Sequence, residues 1–504
     1  MSRRASGTPA VLFLDGNATC PPELLGHKGY GIDTMRGHGL PVPPAFCITT
    51  AVGARYLAEQ RPTMDAIWHD VLDGLRGLEA ATARTFGRGP HPLLVSVRSG
   101  AAMSMPGMMD TVLDLGMCDT VEQALAAQGT ATFARDTRRR FTRLYRRVVA
   151  DTVPDDPYLQ LRAAIEAVFA SWQSPRAAAY RAYHGLDDHG GTAAVVQAMV
   201  FGNMATNSGA GVVFSRDPLT GADHEFGEWL LGGQGDDVVS GTVDVESITA
   251  LRDRQPRIYD ELTAAVRTLE RLTSEVQEVE FTVEDGTLWL LQTRAAKRSA
   301  QAAVRLALHL RRDGLIDDAE TLRRVSPAHV EALLQPSLQP ETGLAAPLLA
   351  KGLPASPGVA SGRAYTEVDA AVEAADNGRD VVLVRNHTSP EDIQGMLVAR
   401  GVVTETGGAT SHAAVVSREL GRVAVVGCGP GVVESLAGRL ITIDGNVGEV
   451  RDGVLPLSAW SEEDTPELRE LTEIARRLSS LRGHAADTSP LMTMLTALRL
   501  SEDI

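Results

Sequence analysis

An alternating segment near the middle of the chain constrains the fold more than any other stretch. In "VQEVEFTVEDGTLWLLQTR", residues 276–294, apolar and polar side chains alternate around an Asp-Gly pair. A period of two is typical of strands, and Asp-Gly between two such runs favours a tight turn. The segment therefore predicts a β-hairpin.

The register of this hairpin decides which of its side chains meet. We expect a three-residue loop at 285–287, which pairs Glu280 with Gln292 on the face opposite the apolar pairs. A carboxylate beside an amide oxygen suits Mg²⁺ that carries polyphosphate. Arg294 would face the same way and could meet a phosphate. A half-exposed hairpin with ordinary polar residues outside is the alternative that this stretch leaves open.

Three further stretches combine small residues with cations or accessible backbone. Lys28 lies between two glycines ahead of a predicted helix, and Arg98 follows strand residues and precedes Ser-Gly. In "QAMVFGNMATNSGAGVVFSRDPLTG", residues 197–221, we predict a small-residue loop at 206–211 between two strands. Its N–H groups could cradle phosphates. Each stretch is weak alone, because a glycine-bearing turn or a surface arginine explains it equally well.

The segment "TETGGATSHAAVVSREL", residues 404–420, places a histidine at the start of a predicted helix. Ser411 is a good N-cap and Gly421 a good residue after the last turn, so we expect a helix over 412–420. The positive end of this helix disfavours imidazolium, which would keep His412 a neutral nucleophile at pH 7.

The same loop could also hold a phosphate once His412 carries one. The N–H groups behind Gly407 and Gly408 favour an anion at this helix end, and Thr410 can add a hydroxyl donor. The glycines would allow close approach of the phosphate donor. A capping loop with a buried structural histidine is the alternative reading of this segment.

Composition excludes several classes of function. The net charge of −16 argues against a general nucleic-acid binder, although an anionic nucleotide could lie in a locally basic cleft. The four cysteines have no zinc or disulfide spacing, which predicts a reducing compartment. Because no signal peptide and no apolar run of about 20 residues occurs, we predict a cytoplasmic protein with no membrane partner.

Taken together, these segments occur in the order and spacing of one family. "GHKGYGIDTMRGHGLPVPPAF", "VSVRSGAAMSMPGMMDTVLDLG", "GEWLLGGQGDDVVSG" and "EFTVEDGTLWLLQTR" resemble the nucleotide-binding half of the pyruvate, phosphate dikinases. "LPASPGVASG", "TSPEDIQGM" and "TGGATSHAAVVSRELG" resemble their phosphohistidine domain. The resemblance extends over essentially the whole chain.

The resemblance implies an α/β and α+β multidomain protein, with an ATP-grasp nucleotide-binding domain followed by a swivelling α/β phosphohistidine domain. The expected bounds are 1–298 for the first domain with a helical insertion at about 118–190, 299–350 for a helical linker, 351–455 for the phosphohistidine domain and 456–504 for a helical tail. Pro354 and Pro357 would form part of the first hinge.

The resemblance also assigns roles to residues of this sequence. The catalytic residues would be His412, Thr410 and Gly408, and the metal ligands would be Glu280 and Gln292. The nucleotide-binding residues would be Lys28, Arg98, Gln197, Thr206, Ser208, Gly209, Gly211 and Arg294. ATP and Mg²⁺ are the expected cofactors, with inorganic phosphate as a second reactant.

In such a protein His412 attacks the β-phosphate of ATP, the γ-phosphate passes to inorganic phosphate, and AMP and pyrophosphate leave. The phosphohistidine then phosphorylates an acceptor. The family binds pyruvate and phosphoenolpyruvate on a C-terminal barrel, which we expect to be missing because the sequence stops at Ile504. Thr406 also departs from the family, which has arginine there.

Three functions follow from the resemblance and these departures. The first is a dikinase whose barrel is a separate PEP-binding subunit. The second is a phosphotransferase for another small molecule. The third is a regulatory protein without activity, which the presence of His412, Glu280, Gln292 and Arg98 argues against.

Overall fold

The computed structural model describes most of the chain between residues 9 and 481, together with residue 491. The gaps in this range are 19, 102, 104, 106–107, 184, 187–189, 241–242, 244, 335–336, 339–345 and 459–465. Most of the predicted tail at 456–504 therefore lies outside the described residues, as do parts of the predicted linker.

Strands and helices follow one another along the whole described chain. The strands are β1 (Val11–Leu14), β2 (Ala45–Ile48), β3 (Thr85–Phe86), β4 (Pro92–Leu93), β5 (Val95–Gly100), β6 (Thr111–Leu115), β7 (Ala193–Ala198), β8 (Gly209–Phe214), β9 (Phe226–Leu231), β10 (Glu246–Ser247), β11 (Gln277–Glu284), β12 (Thr287–Ala295), β13 (Ser337–Leu338), β14 (Leu348–Lys351), β15 (Leu353–Ser356), β16 (Val359–Tyr365), β17 (Val381–Arg385), β18 (Gly401–Thr404), β19 (Val423–Val426), β20 (Leu440–Asp444), β21 (Glu449–Asp452) and β22 (Leu457–Ser458). The helices are α1 (Pro22–Gly37), α2 (Thr50–Glu59), α3 (Arg61–Thr82), α4 (Asp119–Gln128), α5 (Ala131–Val148), α6 (Pro157–Ala170), α7 (Pro175–Tyr183), α8 (Gly235–Ser240), α9 (Ile248–Arg254), α10 (Pro256–Thr273), α11 (Ala300–Arg312), α12 (Asp318–Arg324), α13 (Pro327–Leu334), α14 (Val368–Asp376), α15 (Ile393–Val398), α16 (His412–Glu419), α17 (Val432–Leu436) and α18 (Pro466–Leu481).

These elements form two compact units. The first unit comprises Met1–Ala210, Leu231–Gly235 and Val279–Arg294, and the second comprises Gly211–Leu230, Asp236–Glu278 and Ala295–Ile504. The division differs from the predicted bounds, because parts of the 1–298 segment belong to each unit. The predicted domain bounds stay a prediction.

The first unit is built on an antiparallel sheet with the strand order β1-β2-β7-β5-β6. Its central strands are buried on both faces, which explains their continuous apolar runs. Helices α2, α3 and α6 supply much of the apolar core, which includes Phe46, Val71, Leu78 and Phe169. Arg98 is the one partly exposed residue within β5, and it pairs with Val195 on β7 and Thr111 on β6.

The second unit contains an eight-stranded sheet with the order β14-β21-β20-β16-β17-β18-β19-β15. Its strands β16 to β19 run parallel, and each is followed by a helix on the way to the next element. The predicted alternation of strand and helix, and with it the mixed α/β fold class, is confirmed. Helix α16, which begins at His412, follows β18 beyond its carboxyl end, where parallel sheets commonly bind ligands.

The predicted hinge at Pro354 and Pro357 stays a prediction, although one of its two prolines lies in a strand. Pro354 lies inside β15 and pairs with Val425 of β19. Strand β15 is at the edge of the eight-stranded sheet, where a residue without an N–H is tolerated. Among the described residues, no helix is both long and apolar enough to span a bilayer.

A buried ion pair stabilises the second unit. The Arg216 guanidinium is 3% exposed and donates to both Glu270 carboxylate oxygens at 2.8 to 3.1 Å. Ser215 Oγ donates to the same carboxylate at 2.6 Å. Arg216 also donates to Asp313 at 2.6 Å, so this network joins the segment after β8 to α10 and to the end of α11. Removal of a partner from a buried charge is destabilising.

We expect Glu270→Ala to lower the free energy of local unfolding by about 1–3 kcal/mol, because Ser215 and Arg216 lose a buried acceptor while Asp313 and Asp223 still neutralise the guanidinium. Hydrogen exchange across α10 measures the change. The matched control is Glu261→Ala, which breaks the exposed Arg257–Glu261 pair of the same helix. It should cost about 0.3–0.5 kcal/mol. Equal effects of the two substitutions would contradict the prediction.

Candidate functional site

Arg98 is the centre of a polar cluster in the first unit. Its Nη2 donates to Glu280 Oε2 at 2.6 Å and to Gln292 Oε1 at 3.0 Å, and its Nη1 donates to Gln197 Oε1 at 3.4 Å. Gln197 is buried, and its Nε2 donates to the Pro43 carbonyl. The predicted residues Arg98, Glu280, Gln292 and Gln197 therefore do come together, with Gln197 supporting the guanidinium.

Lys28 joins this cluster through a break in α1. Gly26 has φ +64°, and a Cβ there would lie 1.8 Å from the carbonyl oxygen of Gly100 at the end of β5. His27 N–H donates to the Ala101 carbonyl at 2.8 Å, which ties this turn to the segment after β5. The glycine thus permits the approach that brings Lys28 beside Arg98, and Lys28 lies within the helix rather than ahead of it.

The charges of the cluster affect one another. Burial and the neighbouring Arg98 lower the pKa of Lys28 to about 7 against the opposing effect of Glu280. Burial raises the pKa of Glu280, but Arg98, Arg294 and Lys28 together hold it below its usual range. Glu280 is therefore a carboxylate among cations, in an arrangement that favours a polyanion.

The turn of the hairpin differs from the predicted loop of three residues. Strand β11 ends at Glu284 and β12 begins at Thr287, so only Asp285 and Gly286 form the turn. Both are left-handed, with φ +46° and +72°, as a two-residue type I′ turn requires. The expected 285–287 loop and its register are wrong, yet Arg98 still holds Glu280 and Gln292 together.

The predicted phosphate loop at 206–211 is only partly a loop. Gly209 and Gly211 lie in strand β8, where their backbone groups serve the sheet, while Thr206 is exposed in the preceding turn. Ser208 is buried, and its Oγ accepts from the N–H groups of Ala205 and Asp285 at 3.1 and 3.0 Å. The structure therefore gives Ser208 a structural contact with the hairpin turn.

The oxygen atoms of the cluster suit a hard metal ion whose remaining ligands come from a bound molecule and from water. Among the described residues, no group of three or more His, Cys, Asp or Glu side chains could hold a metal alone. One carboxylate and one amide oxygen, Glu280 and Gln292, share the donor Arg98 instead. Such a pair suits Mg²⁺ whose other ligands are phosphate oxygens and water.

In the second unit, His412 begins helix α16 as predicted. Ser411 has an extended backbone, and its side chain accepts from the Ala414 N–H, which makes it the N-cap. Gly421 follows the helix with φ +62°. The predicted capping is confirmed, with the helix ending at Glu419.

The two ring nitrogens of His412 have different surroundings. Nδ1 lies 3.0 Å from Thr388 Oγ1, whereas Nε2 is buried without a hydrogen-bond partner within the described part of the chain. If Nδ1 carries the proton and donates to Thr388, Nε2 keeps a lone pair. Burial lowers the pKa of His412 to about 4 against the opposing effect of Asp392 and Glu391. This direction agrees with the predicted neutral imidazole, and its main cause is burial and not the helix end.

A carboxylate occupies the N–H groups just before His412. Glu228 of β9 accepts from the Ala409 N–H at 2.6 Å, from the Thr410 N–H at 3.0 Å and from Thr410 Oγ1. A Cβ on Gly408 would lie 2.2 Å from Glu228 Oε1. The glycine at 408 therefore admits the Glu228 carboxylate.

Sequence reasoning missed two of the residues that surround His412. Thr388 lies in the quoted "TSPEDIQGM" stretch but received no role. Glu228 is 182 residues from Thr410 in the chain. A charge inside the strand "FGEWLL" was its only local signal.

Comparisons with known proteins match both halves of the chain. The family of the pyruvate phosphate dikinase AMP/ATP-binding domain matches residues 65–260, and the family of the PEP-utilising enzyme mobile domain matches residues 378–448. The second range contains His412, Thr410 and Thr388.

Curated relatives match across most of the sequence. A protein named pyruvate, phosphate dikinase 2 from Zea mays is 40% identical over 478 residues, covering 86% of this chain and 54% of the relative. Pyruvate, phosphate dikinase from Rhizobium meliloti is 38% identical over 530 residues, covering 91% of this chain and 59% of the relative. The chain thus spans about half the length of the curated relatives it matches.

We expect the imidazole of His412 to stay neutral down to about pH 5, because burial lowers its pKa to about 4. NMR titration of ¹³C-labelled histidine, with the signal assigned by its loss in His412→Asn, measures this. An unfolded histidine takes up its proton near pH 6.5, so the unfolded chain binds more protons between pH 6.5 and 4. His412 should therefore make the protein less stable as pH falls through that range. Titration near pH 6.5 would contradict the prediction.

Proposed function

Because the chain belongs to the pyruvate, phosphate dikinase family through its AMP/ATP-binding and mobile domains, we propose that it is an ATP-dependent phosphotransferase that carries a phosphoryl group on His412. The supporting observation is the imidazole itself. Its Nδ1 lies beside Thr388 Oγ1, its Nε2 is buried without a hydrogen-bond partner among the described residues, and its low pKa keeps it neutral. A nucleophile for phosphorus needs such a lone pair at pH 7.

The proposed reaction follows from this nucleophile. Nε2 of His412 forms a bond to the β-phosphorus of ATP, and the bond from that phosphorus to the oxygen of AMP breaks. Inorganic phosphate then takes the γ-phosphoryl group, so that pyrophosphate leaves and one phosphoryl group remains on His412. Water in place of phosphate is the alternative for that second step.

The cluster around Arg98 is the proposed triphosphate site. Lys28, Arg98 and Arg294 supply positive charge next to the single carboxylate of Glu280. Arg98 can form paired hydrogen bonds with phosphate oxygens, which a lysine cannot. Glu280 and Gln292 would hold Mg²⁺, which neutralises charge on the phosphates when bound. Positioning and electrostatic stabilisation are the main contributions that a protein makes to phosphoryl transfer.

The acceptor is a further proposal. We take pyruvate as the acceptor, since the relatives are named for it. Another small molecule that accepts the phosphoryl group is the alternative.

The location of the protein is also a proposal. The scattered cysteines still predict a cytoplasmic protein.

Labelling from [β-³²P]ATP with Mg²⁺ tests the proposed function. We expect acid-labile, base-stable label on the wild-type chain and none on His412→Ala, with ATP affinity changed by less than about threefold, or ~0.7 kcal/mol. The small effect on affinity is expected because the Arg98 cluster does not include His412. Label that persists in His412→Ala would identify a different carrier.

Paired substitutions test the proposed metal ligands. We expect Glu280→Ala and Gln292→Ala each to abolish most Mg²⁺-dependent labelling, and the double variant to lose less than the sum of the two single effects in free energy, because both act on one ion. Leu348→Ala, at an exposed site of the second unit, is the control. Additive losses would count against a shared metal.

ATP binding should be coupled to proton uptake by Lys28. In the free protein its pKa is about 7, so Lys28 is largely neutral at pH 8, and nearby phosphates would raise that pKa. We expect uptake of about one proton per ATP at pH 8 and much less at pH 6, where Lys28 is already charged. Calorimetry in buffers of different ionisation enthalpy measures it. Uptake that is unchanged in Lys28→Met would contradict the prediction.

A further inference from the structure

We propose that Glu228 is a positioning residue that holds the loop before His412 in the unphosphorylated chain, and that phosphorylation of His412 expels its carboxylate. This inference rests on the proposed function only in that His412 is the residue phosphorylated. The contacts of Glu228 themselves are observations of the structure.

The first step of the argument is that Glu228 fills an anion site. Its two carboxylate oxygens accept from two consecutive backbone N–H groups and one hydroxyl, all at residues 409 and 410. Glu228 is 7% exposed, and Ala409 and Thr410 are also buried. Consecutive N–H groups before a helix form an anion-binding concavity, so a carboxylate is a suitable occupant.

The second step is that the closeness of this contact depends on glycine. The backbone at 408 approaches Glu228 so closely that any Cβ would lie 2.2 Å from Oε1 and 2.5 Å from Oε2. Such distances exclude every other residue unless the carboxylate moves. The segment 408–410 is therefore fitted to the carboxylate in this state.

The third step is that a phosphoryl group on His412 would compete with Glu228 for hydrogen-bond donors. His412 is two residues after Thr410, and its Nε2 is buried without a partner among the described residues. A phosphoryl group there adds roughly two negative charges at pH 7 and three acceptor oxygens that require donors. The donors of residues 409 and 410 already serve Glu228, so the phosphoryl group would compete with that carboxylate for them. Asp392 and Glu391 already place negative charge near the imidazole, which increases the need of the phosphoryl group for these donors.

The fourth step is that another contact of α16, between Lys297 and Glu419, should not respond to phosphorylation of His412. Lys297 Nζ donates to Glu419 at 2.8 Å, at the far end of α16 from His412. A phosphoryl group on His412 does not compete for that contact. Lys297 therefore offers a matched control for attachment that is independent of phosphorylation.

Carboxyl footprinting of the wild-type chain tests the proposal without enzyme activity. Potassium phosphoramidate phosphorylates imidazole chemically: Nε2 bonds to phosphorus, the P–N bond of the reagent breaks and ammonia leaves. A carbodiimide with glycine ethyl ester then labels accessible carboxylates, which mass spectrometry locates. We expect Glu228 to be protected before phosphorylation and labelled at least fivefold more after it, while Glu270, 2% exposed, stays protected.

Variants supply the reciprocal measurement. The Glu228 carboxylate also repels the incoming phosphoramidate anion, so Glu228→Gln should be phosphorylated by phosphoramidate roughly fivefold faster than wild type. Lys297→Met should leave that rate unchanged. In His412→Ala, and in wild type given inorganic phosphate alone, Glu228 should stay protected.

The outcomes separate this inference from the proposed function. Equal labelling of Glu228 before and after phosphorylation would overturn the inference, as would equal phosphorylation rates for wild type and Glu228→Gln. If phosphoramidate exposes Glu228 while [β-³²P]ATP never labels His412, the inference stands and the proposed source of the phosphoryl group fails.

Discussion

Backbone N–H groups that need an acceptor determine the structure around His412 in the second unit. A helix leaves its first N–H groups without partners inside the helix, and a loop before it adds more. Here Ser411 satisfies one of these groups at Ala414, and the Glu228 carboxylate satisfies those of Ala409 and Thr410. With the loop fixed in this way, Nδ1 of His412 lies beside Thr388 Oγ1. Its Nε2 is buried and has no hydrogen-bond partner among the described residues.

In the first unit the groups that need a partner are cations, which lie close together and share one carboxylate. Arg98, Lys28 and Arg294 lie near one another, and Glu280 reduces their mutual repulsion. The cost appears in Lys28, whose pKa falls to about 7 because burial and two neighbouring cations disfavour its charge. A site with an unsatisfied preference for anions gains by binding a polyphosphate, which would restore the charge of Lys28. Under the proposed function the two units are chemically complementary, because one would attract phosphate and the other would present a neutral nucleophile.

Local signals in the sequence predicted local structure well. Ser411 and Gly421 predicted the ends of α16, and alternation around Asp-Gly predicted the hairpin β11–β12. The predicted register was wrong because two left-handed residues close the turn without Thr287. The glycines at 209 and 211 were assigned to a loop because small residues are typical of loops, whereas the structure places both in the buried strand β8. Glu228 could not be predicted at all, since its role depends on a contact between distant parts of the chain. Family resemblance supplied what local patterns could not, notably that Lys28, Arg98 and Glu280 belong together.

The Glu228 contact has a consequence for the ions dissolved around the protein. A carboxylate tethered to the same chain acts at an effective concentration of millimolar or more, and free phosphate must compete with it at its own concentration. The loop before His412 is therefore shielded from occasional occupation by free phosphate or sulfate. Only an anion that is itself attached to the chain competes on equal terms, and the proposed phosphoryl group on His412 would be such an anion. The Glu228 carboxylate thus excludes free phosphate from the loop but can be displaced by a phosphoryl group that is bonded to the chain. The two phosphorus groups present nearly the same oxygen atoms.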